Sequence, residues 1–192
     1  MTAYPVRTRR WTRVEYERLV DVGVLGEDEP IELLGGQMIV AEPKGRRHST
    51  AVGLTADALR AAFGAGWVVR VQDPVALDDE SEPEPDVVVV PGPHRAYLET
   101  HPLRPALVVE VAESSLSFDR RFKSGLYARA GVSDYWIVNI VDDAVEVHRA
   151  PLAAAAAEFG WRYSDIQTVR AGGSISPLCR PAVTVAVADL LP

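Results

Sequence analysis

The sequence predicts an α/β domain built on a mixed β-sheet, and three observations carry that reading. Short β-branched apolar runs bounded by Pro and Gly clusters, VVVV at 87–90, LVVEVA at 107–112 and DYWIVNI at 134–140, have the length and composition of buried strands. Two segments repeat apolar residues at helical spacing, 48–63 and about 117–130. The second of them separates LVVEVA from DYWIVNI, and helix placed between strands indicates a sheet with helices packed on it. The length of 192 residues suits one domain with a substantial core.

In chain order, Thr12 followed by Glu15 reads as a capping box, and Val14, Leu19, Val20 and Val22 give a short amphipathic helix ending near Gly23. IELLGGQMIV places Gly35 and Gly36 between two apolar runs, the two-residue hairpin signal, because such turns need positive φ. From His48 to Phe63, Ala51, Val52, Leu59 and Phe63 recur at helical spacing before Gly64 and Gly66 stop the pattern. WVVRVQD and PVAL read as strands before VVVV, and the proline-rich GPHRAYLETHPLRP as the loop leading to LVVEVA. Phe118, Phe122 and Leu126 share the stripe of the next helix, and Gly131 supplies its stop. AVEVHR pairs back on DYWIVNI across the VDD turn, and shorter strands are expected around FGWRYSD and VTVAVADLL. The expected organisation is a single domain over 1–192, with a core at about 30–150 and the C-terminal strands of 151–192 appended.

Composition excludes several classes of function. Apolar residues at 47% and charged residues at 24% are those of a globular protein rather than a disordered one. No run approaches 18 apolar residues and the N-terminal segment has no apolar signal core, so no membrane span or export signal is expected, and a cytoplasmic location is. The single cysteine, Cys179, forms no internal disulfide and is expected as a small buried hydrophobe. A net charge of −7 argues against coating nucleic acid by global electrostatics, so any such contact is local. His48, His94, His101 and His148 lack metal-ligand spacing and are expected at the surface or at caps. Ser114 and Ser115 stand in no nucleophile-elbow pattern, which removes a serine hydrolase.

The chemistry concentrates in carboxylates. Strand side chains alternate, so in LVVEVA the residues Val109 and Val111 face one way, and Val108, Glu110 and Ala112 the other. Glu110 therefore interrupts a buried strand, where a carboxylate costs several kcal/mol (roughly) unless it is paired, protonated or bound to a cation. Asp86 stands at the mouth of VVVV. Adjacent strands lie about 4.8 Å apart, so two such oxygens can converge on one hard cation, Mg²⁺ or Mn²⁺. Competing readings are a structural ion pair of Glu110 with Arg70, a surface pair of Lys123 with Asp119 one helical turn away, and a cation loop in DDESEPEPD.

PEPDVVVV, LVVEVAESS and DRRFKSGLYARAGVSDYWIVN together resemble the Uma-two family of restriction-endonuclease-like proteins, within the PD-(D/E)XK nuclease superfamily. The resemblance covers most of the chain, including the first helix, the hairpin and His48. It implies a central mixed sheet flanked by helices, with Asp86 and Glu110 as ligands of Mg²⁺ or Mn²⁺ and a lysine beside them. The superfamily pattern would place that lysine at position 112, which here is Ala112; in the resembling family the following helix carries it, and Lys123 matches. Glu32 in the hairpin matches a further acidic position and is a third candidate ligand. Gln72 and His48 are candidates to line the cleft. The implied activity is metal-dependent hydrolysis of nucleic-acid phosphodiester bonds, with DNA the expected substrate. The alternative is a non-catalytic module on the same fold that binds nucleic acid or protein. A homodimer or higher homo-oligomer is also expected.

Overall fold

Each end of the first helix is set by local chemistry. Thr12 caps α1 (Arg13–Asp21): its side chain accepts from the Glu15 amide while the Glu15 carboxylate takes the Thr12 amide. The computed structural model describes residues 8–26, 29–41 and 43–192. Of the apolar stripe expected on α1, Leu19 and Val20 are half-buried, but Val14 at 68% and Val22 at 63% exposure lie outside the packing face. Tyr16 is buried instead, and its hydroxyl donates to the Ile31 carbonyl at 2.7 Å. That bond ties α1 to β1 (Ile31–Leu34), which pairs antiparallel with β2 (Gln37–Val40). The turn between them has φ of 57° at Gly35 and 76° at Gly36, as the Gly-Gly pair predicts.

Helix α2 (Arg46–Phe63) begins two residues before the predicted start and buries Ala51, Val52, Ala56, Leu59 and Phe63. The central sheet has the order β3-β4-β5-β6-β7-β8. Its strands are β3 (Trp67–Val71), β4 (Val87–Pro91), β5 (Leu107–Ala112), β6 (Asp134–Asn139), β7 (Ala144–Ala153) and β8 (Trp161–Arg170). The β5–β6 pair is parallel and the other neighbours are antiparallel, which makes the sheet mixed. Alternation along β5 sorts its residues as expected. Val109 and Val111 join a core with α2, Val87 and Trp136, whereas Val108 and Ala112 join a second core with Tyr127, Tyr135 and Tyr163. Between β5 and β6 the chain runs through α3 (Leu116–Phe118), a π-helical turn (Asp119–Lys123) and α4 (Ser124–Arg129).

Four expectations fail for identifiable reasons. PVAL forms no strand: Val75 and Ala76 are buried, but their amides donate to the loop carbonyls of Pro83 and Pro102, both at 2.9 Å. VTVAVADLL is not a strand along its length. Only β10 (Val185–Ala186) pairs, with β9 (Ser174–Ile175), and the 3₁₀ turn Val187–Leu190 drops Val187 and Leu190 into the core beside α2. Cys179 is exposed rather than buried. His148 is buried, at 2% exposure, because its β7 position faces inward beside the Tyr135 and Tyr163 rings. Around FGWRYSD the strand is longer than expected, since β8 pairs with β7 from Ala144↔Arg170 to Ala153↔Trp161. Among the described residues no helix is long and apolar enough to cross a membrane.

Candidate active site

Asp86 owes its position to the end of a ladder. The β4–β5 register stops at Val87↔Val109, and the Val111 amide beyond it is taken by Asp86 Oδ2 at 2.9 Å. His48 Nε2 lies 3.1 Å from the same oxygen, and the Gln72 side-chain amide donates to Oδ1 at 3.2 Å. Lys44 Nζ stands 4.0 Å from Oδ1. With so many donors, a carboxylate that is 6% exposed stays ionised. Burial pushes its pKa up, but the His48 hydrogen bond and charge, the Val111 amide and Lys123 outweigh burial and leave it below the usual value.

Glu110 sits on β5 facing the helical segment and is 3% exposed. Its Oε1 accepts from Lys123 Nζ at 3.0 Å and from the Tyr127 hydroxyl at 2.6 Å. Lys123 ends the π-helical turn and is 8% exposed. Its Nζ also lies 3.5 Å from Glu32 Oε2, an oxygen that is buried without a hydrogen bond. Asp119, one turn earlier, is buried and accepts from Ser115 Oγ at 2.6 Å. The π turn is anchored a second time, since Arg120 Nε donates to both oxygens of Glu146 on β7, at 3.1 and 3.0 Å. Glu110 and Glu146 occupy one row of the sheet through Ile137, two strands apart, a span of about 10 Å. The turn is thus held at two points by cations three residues apart.

Asp86, Glu110, Lys123, Glu32 and His48 line one cavity of about 480 Å³, while Gln72 supports Asp86 from outside that lining. Glu84, Glu113 and Asp119 line it as well. Carboxylates therefore outnumber cations, and burial makes the excess costly. Burial pushes Glu110 up to about 8; Lys123 opposes this, and Asp86, Asp119 and Glu32 add to it. Asp119 is raised to about 6, again mainly by burial. Burial works to neutralise Lys123, but Glu110, Glu32, Asp119 and Asp86 together hold it charged and well above its ordinary value.

Glu110 does form an ion pair, but with Lys123, and the other competing readings meet different partners. Arg70 pairs with Asp73 at 3.1 Å and not with Glu110. Lys123 is buried on Glu110, and Asp119 bonds Ser115 rather than forming an exposed pair. In the acidic loop, Asp78 takes Arg129 at 2.7 Å, and the Ser81 hydroxyl accepts the Gly35 amide at 3.1 Å, so the loop is structural. Sequence reasoning missed Asp119, Tyr127 and Glu84. The Ser115–Asp119 and Lys123–Tyr127 spacings, each one helical turn, were the available signals.

The donors fit a hard divalent cation. Glu32 Oε2 is orphaned, Glu110 Oε2 accepts no hydrogen bond among the described residues, and all are carboxylate oxygens. Among the described residues no three His, Cys, Asp or Glu side chains converge as a ready ligand set. Such a cation would then be held by two carboxylates with water completing its shell, as Mg²⁺ prefers.

The chain matches the Uma2 family model, described as "Putative restriction endonuclease", over residues 13–187. Among solved structures it is similar to a "putative nuclease belonging to DUF820" from Anabaena variabilis. The two share 15% identity and a TM-score of 0.69, over 97% of this chain and 97% of that one, a likeness that establishes the fold. Among curated proteins none matches. The chain belongs to the Uma2, or Uma-two, family of restriction-endonuclease-like proteins, and its mixed sheet flanked by helices is the fold that membership implies.

Proposed function

We propose that this member of the Uma-two family is a single-domain, divalent-cation-dependent nuclease that hydrolyses nucleic-acid phosphodiester bonds, with DNA as its substrate. Asp86 and Glu110 are the residues that would hold Mg²⁺ or Mn²⁺, with Glu32 the third carboxylate within reach. When bound, the cation supplies Lewis-acid polarisation of the phosphodiester and acidifies a water. The chain's own contribution is the rest. Lys123, kept charged by its carboxylate neighbours, stabilises the charge that develops on the phosphate oxygens. His48, Gln72 and the Val111 amide keep Asp86 ionised and fixed. The observation that carries the proposal is the convergence of Asp86, Glu110 and Lys123 on one cavity, where Lys123 Nζ and Glu110 Oε1 are 3.0 Å apart.

A second reading has one observation in its favour. Lys123 and Glu110 satisfy one another at 3.0 Å without a cation, as they would in a non-catalytic binding module. Titration calorimetry with Mn²⁺ or Mg²⁺ separates the two. Wild type should bind the cation, the Asp86→Ala/Glu110→Ala double variant should not, and cleavage should be lost in Lys123→Ala with cation binding retained. Equal binding by wild type and double variant at millimolar cation would give the module reading its place.

A further inference from the structure

The groups proposed to act on the phosphodiester lie deep. Asp86, Glu110 and Lys123 are 6%, 3% and 8% exposed and line a cavity of about 480 Å³. A duplex is a rod with two rails of phosphate on its outside, and it does not readily lower one of them to groups at the floor of a half-open cavity of that size. One nucleotide can, because ligand pockets of roughly 300–1,000 Å³ enclose most of a ligand of about that size. Charge points the same way. Glu32, Glu84, Glu113 and Asp119 line the cavity with Asp86 and Glu110, so it tolerates a phosphate beside a bound cation but repels further backbone. Lys44, with its side chain 40% exposed, is the exposed cation among the described lining residues and stands 4.0 Å from Asp86.

Apart from Ser114 and Ser115, the rest of the wall is apolar, with Leu34, Ile39, Pro43, Val111 and Phe118 among its residues. Phe118 is backed by Phe122, ring centroids 4.8 Å apart and planes 13° from parallel. Phe122 is itself braced edge-on by Phe159 at 4.9 Å. Phe118 is therefore the cavity-side end of a braced aromatic stack, and a nucleobase can extend such a stack whatever its sequence. It immediately precedes Asp119, so the π turn that delivers Lys123 also fixes the platform relative to the carboxylates.

From this geometry we infer that the cavity takes an unpaired nucleotide, its base stacked on Phe118 and its phosphate beside Asp86 and Glu110. The inference rests on the nuclease reading and names that enzyme's substrate as single-stranded.

Fluorescence anisotropy in Ca²⁺, with the full chain, tests it. The probes are an octanucleotide single strand of DNA, the same strand with an abasic position stepped along it, and a blunt duplex of that sequence. The single strand should bind at least about tenfold more tightly than the duplex, which must be unpaired to enter. One abasic position should lose roughly 5- to 150-fold, the usual value of stacking one base. Phe118→Ala should lose a similar factor on the intact strand and nothing more on the abasic one, and Phe118→Tyr should bind as wild type. The abasic series needs no protein variant, so misfolding of Phe118→Ala cannot hide the result. Equal binding of duplex and single strand, or indifference to every abasic position, overturns the inference and leaves the nuclease reading standing. Failure of wild type to bind either form overturns the nuclease reading itself.

Discussion

Replacing Glu110 by Gln should flatten the pH dependence of stability. Burial raises this carboxyl from its ordinary 4.5 to about 8, with Lys123 opposing and Asp86, Asp119 and Glu32 assisting. A carboxyl with a raised native pKa holds more protons folded than unfolded between those values. The stability it confers is therefore full below pH 4.5 and is lost as pH rises through about 8. One proton amounts to at most about 1.4 kcal/mol per pH unit, so this group can remove up to ~4 kcal/mol between about pH 5 and 8. Gln keeps the shape and an oxygen for Tyr127 and Lys123 but cannot ionise. Glu82, raised to about 8, and Asp119, raised to about 6, lose stability in the same direction, and both remain in the variant. Asp86 is lowered and titrates beneath the window. The difference between the two curves therefore isolates Glu110. Urea unfolding in EDTA, followed by tryptophan fluorescence, should show the curves diverging by ~2–4 kcal/mol, a shift of roughly 1–2 M in midpoint. Parallel curves, within ~0.5 kcal/mol of one another, would mean that Lys123 keeps Glu110 ionised throughout, and the charge-excess argument would fail.

Three further outcomes are expected. Glu146→Gln should cost ~1–2 kcal/mol near neutrality, at the low end because the Arg120 side chain is 44% exposed. Burial raises Glu146, but His148 3.6 Å away and hydrogen bonds from Arg120 and Asn139 lower it to about 2, so its contribution is present above pH 4.5 and lost as pH falls through about 2; urea midpoints against pH report it. Asp134→Ala should cost ~3 kcal/mol or more, lowering Tm by roughly 6–12 °C by calorimetry. Asp134 is fully buried and accepts from Trp136 Nε1, Arg149 Nε and the Leu178 amide at 2.9, 2.8 and 2.7 Å, all of which lose their acceptor. Gly35→Ala should cost ~1–3 kcal/mol in chemical denaturation, from its φ of 57° and a Cβ that would clash with the Phe159 ring. Gly26→Ala, whose Cβ meets nothing closer than 3.8 Å, should be neutral beside it.

Much of the fold was legible because its central strands β4, β5 and β6 are buried on both faces. VVVV and LVVEVA are enclosed, so their composition alone marks them, and alternation on β5 separates the Val109 and Val111 face from the Val108 and Ala112 face as found. The Gly35-Gly36 turn was legible because its backbone demands glycine. PVAL was not, since burial of Val75 and Ala76 gives the same apolar signal with or without a ladder partner. The tail misled for a related reason: Val187 and Leu190 are apolar because they plug the core under α2, not because they pair, and only the short Val185–Ala186 stretch finds a strand partner. Tyr16 was overlooked beside the valines because hydropathy cannot anticipate a hydroxyl bonded to the Ile31 carbonyl. At the site, Asp86 and Glu110 were visible as carboxylates set against apolar runs. The π turn was not, because apolar spacing around Phe118, Phe122 and Leu126 reads the same for either helical pitch.

The π turn also bears on why the lysine can leave the strand. A lysine at position 112 would share the face of Glu110 and stand two residues along it, under the Tyr127 and Ala128 packing that Ala112 now allows. Its stem would displace that helix, and with it the Tyr127 hydroxyl that bonds Glu110. Supplying the cation from above removes the conflict, because Lys123 reaches Glu110 Oε1 and Glu32 from the helical layer while Ala112 keeps the sheet surface low. That solution needs the helical layer held at a fixed height over the sheet. Arg120 on Glu146 and the Tyr135 hydroxyl on the Asp119 carbonyl provide this from strands on the far side of Glu110. The helical position of Lys123 and the Glu146 anchor are therefore parts of one arrangement.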